Sequence, residues 1–321
     1  MTATQMKVTK VESNAVVAAN NPFTAAVVAD WIAFCDVQPT TQKTYDKAIK
    51  SFVGYLSSNH ITQPQREDVI GYREWLLANG YKVSSTRLYV TICKKFFRWL
   101  SSRSLYPNVA DGVKLPAMPT DEHARDALTL EESKQAISSF EGTSEKTLRD
   151  KCIMSLMIGV GLRSVEIVRL DVGDIEKRRG QWIVNVHGKA RAGKTDCVQI
   201  SAEIKKLVDE YLSVRPKGKK GTPLFISTAR RNAGQRLQTQ SVSRLAKRVF
   251  AKIGIESDRV TCHSCRHACA TLMLQAGVPL RNVQKILRHR SPVTTEIYSH
   301  DLDAYNNHGV QILSNLLFSR E

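Results

Sequence analysis

No segment of the sequence is apolar for long enough to cross a membrane. The longest apolar run, CIMSLMIGVGL at 152–162, is well short of the ~20 residues that a bilayer requires. The N-terminal residues also lack the pattern of a signal peptide, because Asn20, Asn21, Pro22 and Asp30 interrupt their apolar parts. We therefore expect a cytoplasmic protein.

The cysteine content gives no basis for a disulfide-stabilised fold. The seven cysteines are odd in number and lie mostly within apolar runs, the pattern of free thiols in a reducing compartment. At 321 residues the chain is long enough for two domains with sizeable hydrophobic cores. We expect packing, and not cross-links, to stabilise it.

Acidic residues are scarce throughout the chain. Lys and Arg total 47 against 30 for Asp and Glu, a net charge of +17. The surplus is distributed, with 14 basic against 8 acidic residues up to position 119 and 33 against 22 beyond it. A polyanion such as nucleic acid is the expected partner, because each neutralised phosphate releases a counterion. Charge alone does not distinguish this from a basic protein without such a partner.

The first part of the chain is predicted to be a small helical domain. Residues 1–22 are small and polar without periodicity, so we interpret them as a flexible tail. Within 23–112, four segments carry apolar residues every three to four positions and are separated by proline or glycine. Proline, glycine and the loss of periodicity in 113–127 indicate a linker.

The fourth helical segment, SSTRLYVTICKKFFRWLSS, has an apolar and a basic face. Apolar residues from Leu88 to Trp99 recur on one stripe, whereas Arg87, Lys94 and Arg98 fall on another. We treat these three basic residues as candidates for DNA contact. A solvated helix surface is the alternative interpretation.

Residues 128–321 are predicted to form a second, mainly α domain with a small β-sheet. TLEE at 129–132 has the threonine and glutamate of a capping box and is expected to open the first helix. Helical periodicity recurs at about 130–139, 146–159, 164–170, 202–213, 239–252 and 263–276, with short β-like runs at 182–186, 197–200 and 224–226.

GKARAGKT at 188–195 matches the phosphate-loop pattern G-x-x-x-x-G-K-[ST] of ATP-binding proteins. That pattern binds phosphate only between a strand and the N-terminus of a helix. Here the following TDCVQIS alternates and is β-branched, which predicts the tip of a hairpin. We expect no ATP site, although lysines in this loop are placed to meet a DNA phosphate.

TCHSCRHACATLM at 261–273 resembles a zinc cluster, because it combines three cysteines with two histidines. The stretch is nevertheless predicted to be one continuous helix, in which Cys265 and Cys269 take core positions with Leu272 and Met273. A single helix cannot close four ligands around a tetrahedral metal, and no second suitable pair of ligands lies nearby in sequence. We therefore expect neither a metal nor another cofactor.

Without its cysteines, this helix carries the pattern His-x-x-Arg-His, formed by His263, Arg266 and His267. Upstream, GVGLRSVEIVRL places Arg163 directly after a glycine turn, with Glu166 one helical turn later. Downstream, ILRHRSPVTTEIYSH places a histidine nine residues before a tyrosine. Together with the loop at 188–195, these segments supply arginines, histidines, a hairpin lysine and a tyrosine.

In this order, the segments GLRSVE, HGKA, HSCRH and LRHRS and the tyrosine at 298 resemble the motifs of the tyrosine recombinase family, also called the phage integrase family. Each motif is weak by itself, but five in the right order are highly specific. The resemblance covers about 24–318, because the four preceding helices look like the family's core-binding, SAM-like domain. It implies that this domain and a C-terminal catalytic domain form a C-shaped clamp on double-stranded DNA.

The resemblance implies a role for each matching residue. The implied catalytic set is Arg163, Lys189, His263, Arg266, His289 and Tyr298, with Glu166 and His267 in support. An arginine fork binds phosphate bidentately and keeps its charge, so the arginine pair is expected at the scissile phosphate. His263 would accept the proton of the attacking tyrosine, Lys189 would protonate the departing 5′-hydroxyl, and His289 would hydrogen-bond the phosphate.

Some positions depart from the family pattern or leave an assignment open. Cys265 stands where the family usually has leucine and Arg288 where it usually has glycine, and neither change removes a functional group. The loop GKARAGK differs from the common G-K-G form, so Lys194 is an alternative to Lys189 as the acid. Tyr305 is the alternative nucleophile, but its spacing from the preceding histidine is wrong.

The resemblance implies a site-specific recombinase that needs neither ATP nor metal, either a mobile-element integrase or a Xer-like resolvase. A type IB topoisomerase and a non-catalytic DNA-binding protein are the rival hypotheses. The resemblance also implies a homotetramer on paired sites, with a monomer or dimer on single sites. The apolar face in HGVQILSNLLFSRE predicts a C-terminal amphipathic helix, which packs on its own domain or, as we favour, on a neighbouring protomer.

Overall fold

The computed structural model describes residues 22–118, 127–187, 196–257 and 259–288. The chain divides after Glu122 into two compact units. Several predictions fall outside the described residues, namely the N-terminal tail, the loop with Lys189 and Lys194, and the C-terminal segment with His289, Tyr298 and the amphipathic helix.

The N-terminal unit is a helical bundle, as predicted. Its described part contains the helices α1 (Ala25–Phe34), α2 (Pro39–Ser58), α3 (Arg66–Ala78) and α4 (Val83–Ser102). Helix α2 packs against the other three. Phe52 is fully buried and makes edge-to-face contacts with Tyr72 and Phe97, at ring-centroid distances of 5.1 and 5.7 Å. Aromatic rings therefore supply much of this core.

The chain that follows α4 stays attached to this unit. Val113 is 2% exposed and belongs to the aromatic core. Lys94 donates a hydrogen bond to the Val113 carbonyl at 2.8 Å, and Arg87 donates one to the carbonyl of Pro116. The first residues of the expected linker, 113–127, are thus held on the helical unit by side chains of α4.

The C-terminal unit is mainly helical. Its described helices are α5 (Leu130–Ser138), α6 (Glu145–Gly159), α7 (Ser164–Arg169), α8 (Ala202–Val214), α9 (Thr239–Lys252), α10 (Cys262–Gln275) and α11 (Leu280–Leu287). Helix α6 is buried from Cys152 to Ile158 and packs against α5, α7, α8, α9 and α10. The predicted capping box of α5 is present, since Thr129 and Glu132 exchange hydrogen bonds of 3.2 and 2.7 Å. Within the described ranges, no helix is long and apolar enough to cross a membrane.

The small sheet is antiparallel, in the order β1-β2-β3. Its strands are β1 (Ile175–Arg178), β2 (Gln181–Val186) and β3 (Asp196–Gln199). Strands β2 and β3 confirm the prediction, whereas β1 has the charged sequence IEKR and becomes a strand by pairing with β2. The strand predicted at 224–226 is wrong, because Ile226 makes an isolated bridge with Arg236 there and no ladder continues from it.

The residues between β2 and β3 connect two antiparallel strands. Val186 of β2 pairs with Asp196 of β3, so the strands on either side of the 188–195 motif are antiparallel neighbours, as the predicted hairpin requires. A phosphate-binding loop of the ATPase type requires a helix after the motif, and here a strand follows. The described strands on either side of the motif therefore do not match the strand-to-helix order of an ATP-binding loop.

Gly161 lies in the turn between α6 and α7. Its φ of +66° is in the left-handed region, which glycine adopts without strain. A Cβ at this position would lie 2.5 Å from Cδ2 of Leu287 and 3.2 Å from Sγ of Cys269. Glycine is required here both by the backbone conformation and by the close approach of α10 and α11.

We expect Gly161→Ala to destabilise the protein by about 1–3 kcal/mol more than Gly180→Ala, measured by urea unfolding followed by circular dichroism. Both positions have a positive φ, so both substitutions carry the backbone cost of about 1–2 kcal/mol. An added Cβ meets no atom within 4 Å at position 180, whereas at position 161 it overlaps Leu287. Equal costs for the two variants would contradict this explanation.

Candidate active site

The first turn of α7 is organised by a carboxylate. The Oε2 atom of Glu166 accepts a hydrogen bond from the backbone N–H of Arg163 at 2.8 Å, which caps the helix start. The Oε1 atom of the same residue accepts one from Nη1 of Arg163, also at 2.8 Å. Glu166 is 1% exposed, whereas the Arg163 side chain is 24% exposed. The arginine is therefore held by a buried anion and still reaches the surface.

Helix α10 supplies the second arginine of the predicted pair. Thr261 caps this helix, since its hydroxyl oxygen accepts a hydrogen bond from the His263 N–H at 3.2 Å. Arg266 is 1% exposed, and its guanidinium donates to the carbonyl of Gly161 at 2.5 Å and to the carbonyl of Leu287. The buried guanidinium thus connects α10 to the turn before α7 and to the end of α11.

A third arginine joins the same carboxylate. Nη2 of Arg288 lies 2.7 Å from Oε2 of Glu166, and its side chain is 6% exposed. Burial acts to raise the pKa of the Glu166 carboxyl. The charge of Arg288, the backbone N–H of Arg163 and the other guanidinium charges outweigh burial, so that the pKa lies below its ordinary value. Glu166 is therefore ionised at neutral pH.

The cluster as a whole is cationic. Arg163, Arg266 and Arg288 contribute three positive charges and Glu166 one negative charge, which leaves +2 for these four side chains. Arginine forks bind phosphate oxygens bidentately and remain charged. Such a cluster stabilises the additional negative charge that develops on a phosphodiester under attack.

The two histidines of α10 lie side by side at its beginning. Their rings, on His263 and His267, are 5.3 Å apart between centroids and nearly perpendicular, with an interplanar angle of 76°. Both side chains are partly exposed, unlike Arg266 between them. The structure thus brings the histidines and the arginine of the HSCRH motif together on one short stretch of helix.

Two cysteines of α10, Cys265 and Cys269, pack inward, as predicted, whereas Cys262 in the first turn is partly exposed. Cys265 is 0% and Cys269 3% exposed. Burial raises the pKa of the Cys265 thiol, and it raises that of Cys269 to about 11. Metal coordination requires the thiolate, which this environment disfavours. Across the described ranges, no group of three or more His, Cys, Asp or Glu side chains is arranged to hold a metal ion.

The other predicted site residues either lie outside the described residues or belong to the N-terminal unit. Lys189, Lys194, His289 and Tyr298 lie outside the described residues. Of the candidates for DNA contact on α4, Arg87 and Lys94 bind backbone carbonyls of the following segment, and Arg98 is exposed. Sequence reasoning missed the contribution of Arg288 to the cluster. The sequence feature that could have revealed it was the arginine in LRHRS, at the position where the family usually has glycine.

The chain thus combines a helical N-terminal unit with a mainly helical second unit that carries an antiparallel sheet and an arginine cluster. A cationic cluster of this kind is typical of proteins that bind phosphate groups. Residues 127–304, more than half of the chain, match the family model "Phage integrase family", and residues 33–104 match "Phage integrase, N-terminal SAM-like domain". The chain belongs to the phage integrase family. It is a tyrosine recombinase, a site-specific DNA breakage and rejoining enzyme.

Similar proteins include tyrosine recombinase XerA of Pyrococcus horikoshii, 28% identical over 275 residues that cover 85% of this chain and 88% of that protein. Tyrosine recombinase XerC of Escherichia coli is 27% identical over 273 residues, 82% of this chain and 86% of that protein. These matches extend through both units and agree with the two family models.

Among solved structures, the XerH site-specific recombinase bound to palindromic difH substrate, in a post-cleavage complex, has a TM-score of 0.69 at 18% identity and covers 91% of this chain and 84% of that chain. A lambda integrase dimer bound to a COC′ core site has a TM-score of 0.65 at 17% identity, with coverage of 83% and 96%. At these identities the likeness supports the fold.

We expect Glu166→Gln to destabilise the protein by roughly 3–5 kcal/mol at neutral pH, because it leaves the buried guanidinium of Arg288 without its anion. The folded pKa of Glu166 is lowered, so its contribution is present above the unfolded pKa of about 4.3 and is lost as the pH falls through the folded value. The measurement is urea unfolding of both proteins between pH 3 and 8. The difference between them should shrink toward pH 3.

Glu131→Gln is the matched control, since Glu131 lies in the first turn of α5 and is exposed. It should change stability little at any pH. A cost for Glu166→Gln as small as that of the control would show that the arginine cluster does not depend on the carboxylate.

Proposed function

We propose that the chain cuts and rejoins DNA strands through a covalent 3′-phosphotyrosine at Tyr298. The observation that carries this proposal is the arrangement of Arg163 and Arg266, two motif residues 103 positions apart in sequence, around Gly161 and Glu166. Fixed cations at a scissile phosphate are the main requirement of a cleavage step that adds charge to phosphorus.

The two arginines contribute differently. Arg163 is partly exposed, and we assign it to direct contact with a non-bridging phosphate oxygen. Arg266 is buried and held by two backbone carbonyls, so it adds its charge from a fixed position. This arrangement needs no reorganisation during the reaction, which is the condition for effective electrostatic stabilisation.

Proton transfers complete the scheme. His263, in the first turn of α10, accepts the proton of the tyrosine hydroxyl as its oxygen attacks phosphorus. The bond from phosphorus to the 5′-oxygen breaks, and Lys189 protonates that oxygen. His289 hydrogen-bonds the phosphate, and His267 supports its neighbour His263.

The intermediate preserves the phosphodiester energy. Attack by the 5′-hydroxyl of another strand releases the tyrosine and forms a new phosphodiester, so bonds formed and broken balance. The reaction therefore requires no ATP, and the cations of the site take the place of a catalytic metal. Strand exchange by this route is reversible and nearly isoenergetic.

We also propose that the protein works as a homotetramer on two paired DNA sites, and as a monomer or dimer on a single site. The lambda integrase structure to which this chain is similar contains a dimer on a core site. A cyclic tetramer requires a heterologous contact that closes by rotation, and we assign that contact to the apolar face of the C-terminal segment. With DNA as its substrate, we place the protein in the cytoplasm at the nucleoid.

A chain truncated after Ser299 should bind a single DNA site but lose the paired-site complex, because the apolar segment that docks on the neighbour is removed. Electrophoretic mobility and analytical ultracentrifugation with the full-length chain on the same DNA provide the comparison. Assembly that is unchanged by the truncation would mean that the helix packs on its own domain.

Tyr298→Phe should abolish covalent attachment to DNA. The substrate is a nicked suicide duplex that carries a site identified by mapping bound fragments of the source genome, and the reaction contains EDTA and no ATP. Denaturing electrophoresis detects the adduct, and peptide mapping locates it. Tyr305→Phe is the matched control and should form the adduct normally. An undiminished adduct in Tyr298→Phe would refute the assignment.

Lys189→Ala should slow cleavage by about 10²–10⁴-fold, because the leaving 5′-oxygen loses its proton donor. A substrate with sulfur at that bridging position should restore the rate, since a thiolate leaves without a proton. Lys194→Ala, in the same loop, should cleave at nearly the normal rate on both substrates. If only Lys194→Ala is slow and rescued by sulfur, the acid is Lys194.

A further inference from the structure

Arg288 combines an unfavourable backbone conformation with a buried charged side chain. It follows α11 with φ 56° and ψ 43°, in the left-handed region that disfavours residues with a Cβ. It also stands where the family usually has glycine, the residue that prefers this conformation. Its side chain is 6% exposed. We conclude that interactions of the side chain offset the strain of the backbone.

The guanidinium of Arg288 is directed at Glu166. Nη2 donates to Oε2 of the carboxylate at 2.7 Å, and Nη1 donates to the carbonyl of Ile286 at 2.7 Å. The other carboxylate oxygen, Oε1, accepts from Nη1 of Arg163 at 2.8 Å. One buried carboxylate therefore connects Arg288 to the arginine that is partly exposed.

The geometry indicates an indirect role. Both Nη groups of Arg288 donate within the protein and its side chain is buried, which does not favour direct contact with phosphate. Oε2 of Glu166 accepts from Arg288 and from the backbone N–H of Arg163, so the carboxylate is held from two directions. Without Arg288, the carboxylate can rotate, and the side chain of Arg163 that depends on it can move.

We propose that Arg288 is a positioning residue for DNA cleavage, which holds Glu166 so that Glu166 fixes the guanidinium of Arg163. This inference rests on the proposed function, in which Arg163 contacts the scissile phosphate. The charged groups around Glu166 come from α7, α10 and the end of α11, namely Arg163, Arg266 and Arg288. Burial raises the pKa of Glu166, and Arg288 is the largest of the influences that reverse this.

The test compares Arg288→Gly and Arg288→Lys with the full-length wild-type chain on the nicked suicide substrate. The single-turnover rate of adduct formation is measured from pH 5 to 9 at saturating protein. We expect Arg288→Gly to slow cleavage by about 10- to 100-fold, because loss of a residue that orients a directly acting group usually costs this much activity. Its rate should also begin to fall at a higher pH than that of wild type, because Glu166 is protonated more easily. Arg288→Lys, which keeps the charge, should be intermediate.

Arg179→Gly is the matched control. Arg179 is another arginine with a positive φ, 49°, but it is exposed in the turn between β1 and β2. Replacement by glycine relieves the backbone in both variants, so an effect of Arg288→Gly alone belongs to its side chain. We expect Arg179→Gly to cleave at the wild-type rate with an unchanged pH profile.

The same substitution in a Glu166→Gln background distinguishes positioning from general stability. If Arg288 acts through Glu166, Arg288→Gly should add much less in that background than in wild type. An equal loss in both backgrounds would overturn the proposal, as would a wild-type rate for Arg288→Gly. If circular dichroism shows that the glycine variant does not stay folded, Arg288→Lys replaces it in the same comparison. A wild-type rate and pH profile for Arg288→Lys would then overturn the proposal. Absence of an adduct with the wild-type chain would instead refute the proposed function.

Discussion

The arginine cluster of the C-terminal unit depends on its ion pairs with the carboxylate of Glu166. It is 1% exposed and lies between the guanidinium groups of Arg163 and Arg288. A buried carboxylate or a buried guanidinium is costly by itself, and each is stable here because the other is present. The same residue caps α7 and binds the residue that ends α11. The residue that neutralises the arginine charge therefore also links the start of α7 to the end of α11.

Backbone carbonyls fix the guanidinium of Arg266 by hydrogen bonds, as the Glu166 carboxylate fixes the guanidinium of Arg163. The carbonyls of Gly161 and Leu287 accept hydrogen bonds from the Arg266 guanidinium and fix its position. Gly161 also leaves room for α10 and α11, since a Cβ there would lie 2.5 Å from Cδ2 of Leu287 and 3.2 Å from Sγ of Cys269. In the proposed mechanism, a phosphate therefore meets cations that are already oriented, and binding energy is not used to arrange them.

Local charge predicted side-chain contacts less well than local periodicity predicted helices and strands. The sequence predicts helices α1–α4 and the β2–β3 hairpin well, because their patterns repeat within a few residues. Arg87 and Lys94 stand out as a basic stripe, yet each donates to a carbonyl beyond the end of its helix. Leu88, expected on the apolar stripe, is 46% exposed. Strand β1 depends on its partner, so its own residues do not reveal it.

By itself, the sequence determined the helical class, the hairpin, the order of the motifs and therefore the candidate residues, since each of these is encoded in short stretches. Only the tertiary structure decided which of the charges meet. Glu166 and Arg288 are 122 residues apart, and no local pattern connects them. They meet because α10 packs against α11 and both approach the Gly161 turn that precedes α7. A buried charge must find its counter-charge wherever that packing places one.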